Sequence, residues 1–166
     1  MVSVYETSVR GVTVRVYVPQ EPALADAPPA APAFIFFHGG GWVIADLDTY
    51  DASARALADG AKAVVASVEY RHAPEAKFPA AHDDANAAYR WLVENSGTLN
   101  ADAERLAVAG ESAGANLAMN VAISARDGGL TQPAHMLLVY PVAGNDMTTP
   151  SYRTYADAAP LSKPAM

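Results

Sequence analysis

The sequence predicts an α/β fold, a mostly parallel sheet preceded by an antiparallel hairpin. Three observations carry that expectation. Short, largely apolar runs of the kind found in strands covered on both faces recur at residues 33–37, 63–69, 105–109 and 134–140. Helix-forming segments separate them, and this alternation is what right-handed crossovers turn into a parallel sheet. Two glycine motifs, His38-Gly39-Gly40-Gly41-Trp42 and Gly110-Glu111-Ser112-Ala113-Gly114, fall just after two of those runs. That is the carboxyl edge, where open α/β sheets carry their sites.

The elements follow in order. Residues 2–9 and 12–18 are β-rich pieces joined at Arg10-Gly11, and Val12, Val14, Val16 and Val18 alternate with more polar residues. This period of two marks a half-buried strand in an edge hairpin. Residues 20–32 carry four prolines among alanines and read as a surface connection. Residues 33–37 (AFIFF) form the first buried strand. Residues 48–60 are expected as a helix stopped by Gly60. The strand at 63–69 precedes a helix over 80–95, with Asp83 and Asp84 in its first turn to complement the helix dipole. His72 and His82 are expected on a loop and on a helix surface. A strand at 105–109 leads into a helix over 112–126, closed by Asp127-Gly128-Gly129. The run at 134–140 is a last strand stopped by Pro141, and residues 142–166 read as loop.

Composition bounds the function. At 166 residues, 51% of them hydrophobic, the chain has the length of one domain, residues 1–166, with a real core. It carries 11 Lys and Arg against 18 Asp and Glu, a net charge of −7, which argues against nucleic acid and anionic membranes as partners. Without cysteine there is no disulfide or thiol chemistry. No signal-peptide pattern opens the sequence, and no apolar run approaches the roughly 20 residues of a membrane span. A soluble, cytoplasmic protein is the expectation.

The chemistry lies in the glycine motifs. Gly110-Glu111-Ser112-Ala113-Gly114 matches the G-x-S-x-G elbow, in which a serine on a sharp strand-to-helix turn presents its hydroxyl as a nucleophile. The five-residue pattern alone also fits a plain turn; the strand before and the helix after make it specific. Three glycines after a buried strand are entropically unfavourable in an ordinary loop. They suit a place where bare N–H groups approach a ligand oxygen.

With His38 to Trp42, Asp48, Tyr50-Asp51, Tyr70-Arg71, Ala73-Pro74-Glu75, Phe78-Pro79-Ala80-Ala81, Asp84, the 110–114 elbow with Asn116-Leu117, Tyr140-Pro141 and Ser151-Tyr152, the chain resembles the hormone-sensitive-lipase-like α/β-hydrolases, a family of bacterial carboxylesterases. Ala45 and Ala115 stand where that family more often has glycine. The resemblance implies an α/β-hydrolase fold and hydrolysis of short-chain carboxylic esters through an acyl-enzyme on Ser112. It implies an oxyanion hole around Gly39, Gly40, Gly41 and Ala113, in which the N–H groups of Gly40, Gly41 and Ala113 donate while His38 and Gly39 shape the loop. His38, Trp42 and Glu111 would border the substrate pocket, although Trp42 fits a core position equally well. No metal or organic cofactor is needed.

The family's order is serine, then a carboxylate, then a histidine. After Ser112 the only histidine is His135, expected at the wrong end of the last strand, and Asp127, Asp146 and Asp157 have no histidine to orient. The expectation is therefore an N-terminal fragment of such an esterase, with C-terminal strands and cap missing. Its alternative function is binding of acyl groups, or self-association into a homo-oligomer through an open sheet edge.

Overall fold

The computed structural model describes residues 1–20, 30–159 and 161–163. The proline-rich connection expected at residues 20–32 lies mostly outside them. Ten elements follow one another: β1 (Val2–Val9), β2 (Val12–Pro19), β3 (Ala31–Phe37), α1 (Asp51–Ala61), β4 (Val64–Val68), α2 (Ala80–Asn95), β5 (Ala101–Glu111), α3 (Ala113–Asp127), β6 (His135–Val139) and α4 (Pro150–Thr154). The strands form one six-stranded sheet in the order β1-β2-β4-β3-β5-β6.

The hairpin turns on Arg10 and Gly11, both with positive φ (53° and 87°), which matches the right-handed twist of the flanking strands. β2 then joins β4 antiparallel, while β4, β3, β5 and β6 run parallel. The first crossover leads from β3 to its neighbour β4. The second, through α2, returns past β3 to β5. β3 is thus the strand at which the winding changes direction, the place where such sheets open a crevice.

Both faces of the sheet centre are covered. α1 packs on one face, where Tyr17, Phe36, Ala54, Ala58, Val65 and Ala109 form a small core. α2 and α3 cover the other with a larger core that includes Val14, Ile35, Phe37, Val68, Tyr89, Leu92 and Leu117. Every residue of β4 is buried, which accounts for its unbroken apolar sequence.

Several boundaries differ from the sequence expectation. Helix α1 begins at Asp51 and passes through Gly60 to Ala61; Lys62, left-handed at φ 50°, ends it. Strand β5 starts at Ala101 rather than 105, because Ala31 pairs with Ala101 ahead of the irregularity in the β3–β5 ladder. A short helix, α4, interrupts the expected C-terminal loop, with Pro150 in its first turn, where a missing N–H is harmless. The composition of β6 suggested a buried strand, yet Met136, Leu137 and Val139 are exposed. β6 is the sheet edge, and neither face of it is fully covered.

Asp84 also does more than face a helix dipole. It is buried, with side-chain exposure of 6%, and clamps Arg71. Its carboxylate accepts the Arg71 backbone N–H at 2.9 Å, and Arg71 Nε and Nη2 at 2.9 and 2.7 Å. This fixes the segment that leaves β4. Asp84→Ala leaves that N–H and the guanidinium without their acceptor, and should lower unfolding free energy by about 1–3 kcal/mol in urea titration. A change within about 0.5 kcal/mol, typical of an exposed surface site, would contradict the clamp.

Candidate active site

Phe37 ends β3 opposite Val68 of β4 on one side and Gly110 of β5 on the other. The chain therefore leaves three adjacent strands at nearly one level, at His38, Glu69 and Ser112. The glycine-rich loop and the elbow meet because of this register.

At the elbow, Ser112 has φ 56° and ψ −114° and stands at the N-cap of α3. A non-glycine residue in that region stores about 1–3 kcal/mol of strain. Surrounding bonds hold it there. The Ser112 N–H donates to Val139 O (2.9 Å), and its carbonyl accepts from Asn116 N (3.2 Å) and Val142 N (3.3 Å). A serine at this position normally caps the helix with its hydroxyl; here no side-chain cap bond forms. The hydroxyl is left for other chemistry.

The flanking glycines are required by close approach. A Cβ at Gly114 would run into the carbonyls of Phe37 and His38, and one at Gly110 into the carbonyl of Gly114. Strand β3, the elbow and the start of α3 are packed backbone against backbone.

The loop after β3 curls tightly. Gly40, Gly41, Trp42 and Ala45 all have positive φ (112°, 63°, 60° and 74°), and the Gly40 carbonyl accepts from Val43 N and Ile44 N at 3.1 and 3.0 Å. Gly40 has no room for a side chain, since its Cβ would strike the Ile44 carbonyl. The loop is tied down from behind. The Tyr70 hydroxyl donates to His38 O at 2.9 Å, and Ala73 N donates to Trp42 O at 2.9 Å. Burial raises the Tyr70 hydroxyl pKa, so it stays a donor. Among the described residues, the N–H groups of Gly40, Gly41 and Ala113 donate to no backbone carbonyl or side chain.

The remaining predicted positions are placed unequally. Gly39 is buried against the elbow: a Cβ built on it would lie 3.6 Å from Ser112 Cβ and 2.7 Å from Tyr50 Oη. His38 is fully buried, so its ring stands behind the loop rather than at a substrate surface. Burial also lowers its pKa, favouring the neutral ring. Glu111 accepts the Tyr50 hydroxyl at 3.0 Å and so links the elbow to the residue that wedges Gly39. Trp42 packs on the core and also lines a largely apolar pocket of about 300 Å³ with Gly41, Arg71, Phe78, Ala81 and His82. His82 is not a free surface residue, because its Nε2 lies 3.3 Å from Asn116 Oδ1. His135 opens β6 and is exposed, at the end of that strand away from the elbow. Tyr50, Tyr70 and Asn116 were visible as motif matches, but their supporting bonds carried no sequence signal.

A family described as having an alpha/beta hydrolase fold matches residues 34–166. The chain is 45% identical over 152 residues to a carboxylesterase, NlhH, of Mycobacterium tuberculosis, covering 92% of this chain and 46% of that protein. It is 42% identical over 145 residues to an ethyl acetate hydrolase of Pseudomonas putida, covering 86% and 44%. The crystal structure of a protein called DphMB1 superposes with a TM-score of 0.90 at 46% identity, covering 99% of this chain and 52% of the other. The chain spans about half the length of the curated relatives it matches.

The packing at the elbow separates two glycines that look alike in sequence. Gly114→Ala must displace backbone and should destabilise the chain by at least the roughly 1–3 kcal/mol of an overpacked core. Gly60→Ala meets nothing within 4 Å and sits in a helix, so it should stabilise by about 0.4–1 kcal/mol. Chemical denaturation of the two variants checks the contrast; equal effects would contradict it.

Proposed function

The chain belongs to the alpha/beta-hydrolase family, and from that premise we propose that it acts on short-chain carboxylic esters, with Ser112 as nucleophile. The observation that carries this reading is the strained Ser112 backbone, held by three hydrogen bonds while the hydroxyl caps nothing. Strain of this kind persists where surrounding structure over-determines it, and it clusters at reactive positions.

In the proposed reaction, Ser112 Oγ attacks the ester carbonyl carbon and its proton passes to a base. The carbonyl oxygen gathers negative charge between the N–H groups of Gly40, Gly41 and Ala113. The N-terminal end of α3 adds its positive dipole. Collapse of the adduct breaks the bond to the alcohol, which leaves with a proton, and an acyl group remains on Ser112. Water then releases the acid. The apolar pocket beside Gly41 and Trp42 suits a small acyl or alcohol group, and the relative named for ethyl acetate supports short chains. Removing one oxyanion donor typically lowers the rate about 10²–10³-fold.

Among the described residues no histidine is hydrogen-bonded to Ser112 Oγ. The 166-residue chain is therefore expected to react slowly, at the order of 10³–10⁴ over water that remains when a triad member is lost. A fluorophosphonate probe should label Ser112 slowly, and Ser112→Ala should abolish labelling; equal labelling of both would refute the nucleophile. Gly41 has open space at its Cβ, but φ 63° disfavours any side chain. Gly41→Val should therefore slow labelling by re-aiming the loop.

A second reading rests on the exposed apolar side chains of β6. An unpaired strand edge is a template for pairing, and here it would pair with β6 of a second copy. Sedimentation velocity should show concentration-dependent association that Leu137→Lys weakens. A monomer at all concentrations would dismiss this reading.

A further inference from the structure

Behind the glycine-rich loop, three side chains converge that the proposed ester chemistry does not use: His38, Glu69 and His72. One nitrogen or oxygen atom from each lies within 4.8 Å of the others. The His38 and His72 rings meet edge to face, their centroids 5.4 Å apart. They leave their strands at the same carboxyl edge, His38 after β3 and Glu69 after β4, with His72 three residues further on.

The hydrogen bonding of His38 fixes its chemistry. Its Nδ1 lies 2.7 Å from the Gly39 carbonyl. A carbonyl only accepts, so Nδ1 carries the proton and Nε2 is a bare lone pair. That Nε2 is buried in a residue with 0% exposure and has no hydrogen-bond partner. His72 Nε2 is also buried and unpartnered. Glu69 uses Oε2 to accept the Leu47 N–H at 2.8 Å, which leaves acceptor capacity on its carboxylate. Acceptors thus outnumber donors in this small space. Buried groups of this kind are rarely left unpaired.

We propose that His38, His72 and Glu69 form a binding site for a divalent zinc ion, seated under the glycine-rich loop. Two imidazoles and one carboxylate are a donor set that suits Zn²⁺. A ligating histidine whose other ring nitrogen donates to a backbone carbonyl is the usual arrangement around zinc, and His38 already has it. Zinc bonds to nitrogen and oxygen of about 2.0–2.2 Å require the three donors to draw together by about 1 Å. His38 is held by its stacking on Tyr70 (4.4 Å between centroids). The half-buried Glu69 and His72 supply the movement, and a water completes four-coordination. The ion stiffens the loop at its root, because His38 leads directly into Gly39, Gly40 and Gly41. It takes no part in bond breaking, and the site does not depend on the esterase reading.

Titration calorimetry with zinc chloride on the full chain tests the site. One Zn²⁺ per chain should bind and raise Tm, and Co²⁺ in its place should give the visible absorption of a tetrahedral ion. His72→Gln and Glu69→Gln should each weaken binding at least tenfold; the latter keeps an acceptor for Leu47 N–H and so preserves the local fold. His82→Ala and His135→Ala should bind as the parent does. Absence of binding in the parent, unchanged binding in both Gln variants, or a purely octahedral cobalt spectrum would overturn the proposal.

Discussion

The structure depends on one steric constraint, the contact between the backbone at Gly114 and the carbonyls of Phe37 and His38. Strand β3 and helix α3 can approach this closely only because position 114 has no side chain. The approach sets the elbow beside the glycine-rich loop, and the β3–β5 register, with Phe37 opposite Gly110, brings both to one level. Remove either condition and the loop and Ser112 no longer face a common space.

Around that contact, the loop is held by polar groups from several elements rather than by its own packing. Tyr70 reaches in from the end of β4, Tyr50 from the start of α1, and Glu111 from the elbow itself. The clamp between Asp84 and Arg71 steadies the segment after β4 from helix α2. This division explains how a loop with four positive-φ residues can hold one shape while the N–H groups of Gly40 and Gly41 stay unpaired among the described residues.

Much of this was legible in the sequence, for physical reasons that can be named. The hairpin was readable because a period-2 valine pattern flanks a two-residue turn. A proline and acidic first-turn residues mark the start of α2, and the helix runs over Ala80–Asn95 as its sequence predicts. The glycine motifs marked the candidate site because few other uses justify glycines in that context. Other features depended on tertiary partners. Gly60 did not stop α1, since nothing crowds it and the helix can run on to Lys62. β6 has the composition of a covered strand, but exposure is decided by neighbours, which its sequence does not contain. The role of Asp84, and the meeting of His38 with His72, rest on contacts between residues 13 and 34 positions apart. No local pattern reports such pairs.

The elbow and the glycine-rich loop are proposed together to form a reactive serine with its oxyanion donors. A crystal structure of the chain after reaction with a phosphonate ester addresses it directly. A covalent bond should run from phosphorus to Ser112 Oγ, with the phosphoryl oxygen about 2.7–3.1 Å from the N–H groups of Gly41 and Ala113. An adduct on another residue, or a phosphoryl oxygen turned to solvent away from the loop, would contradict it.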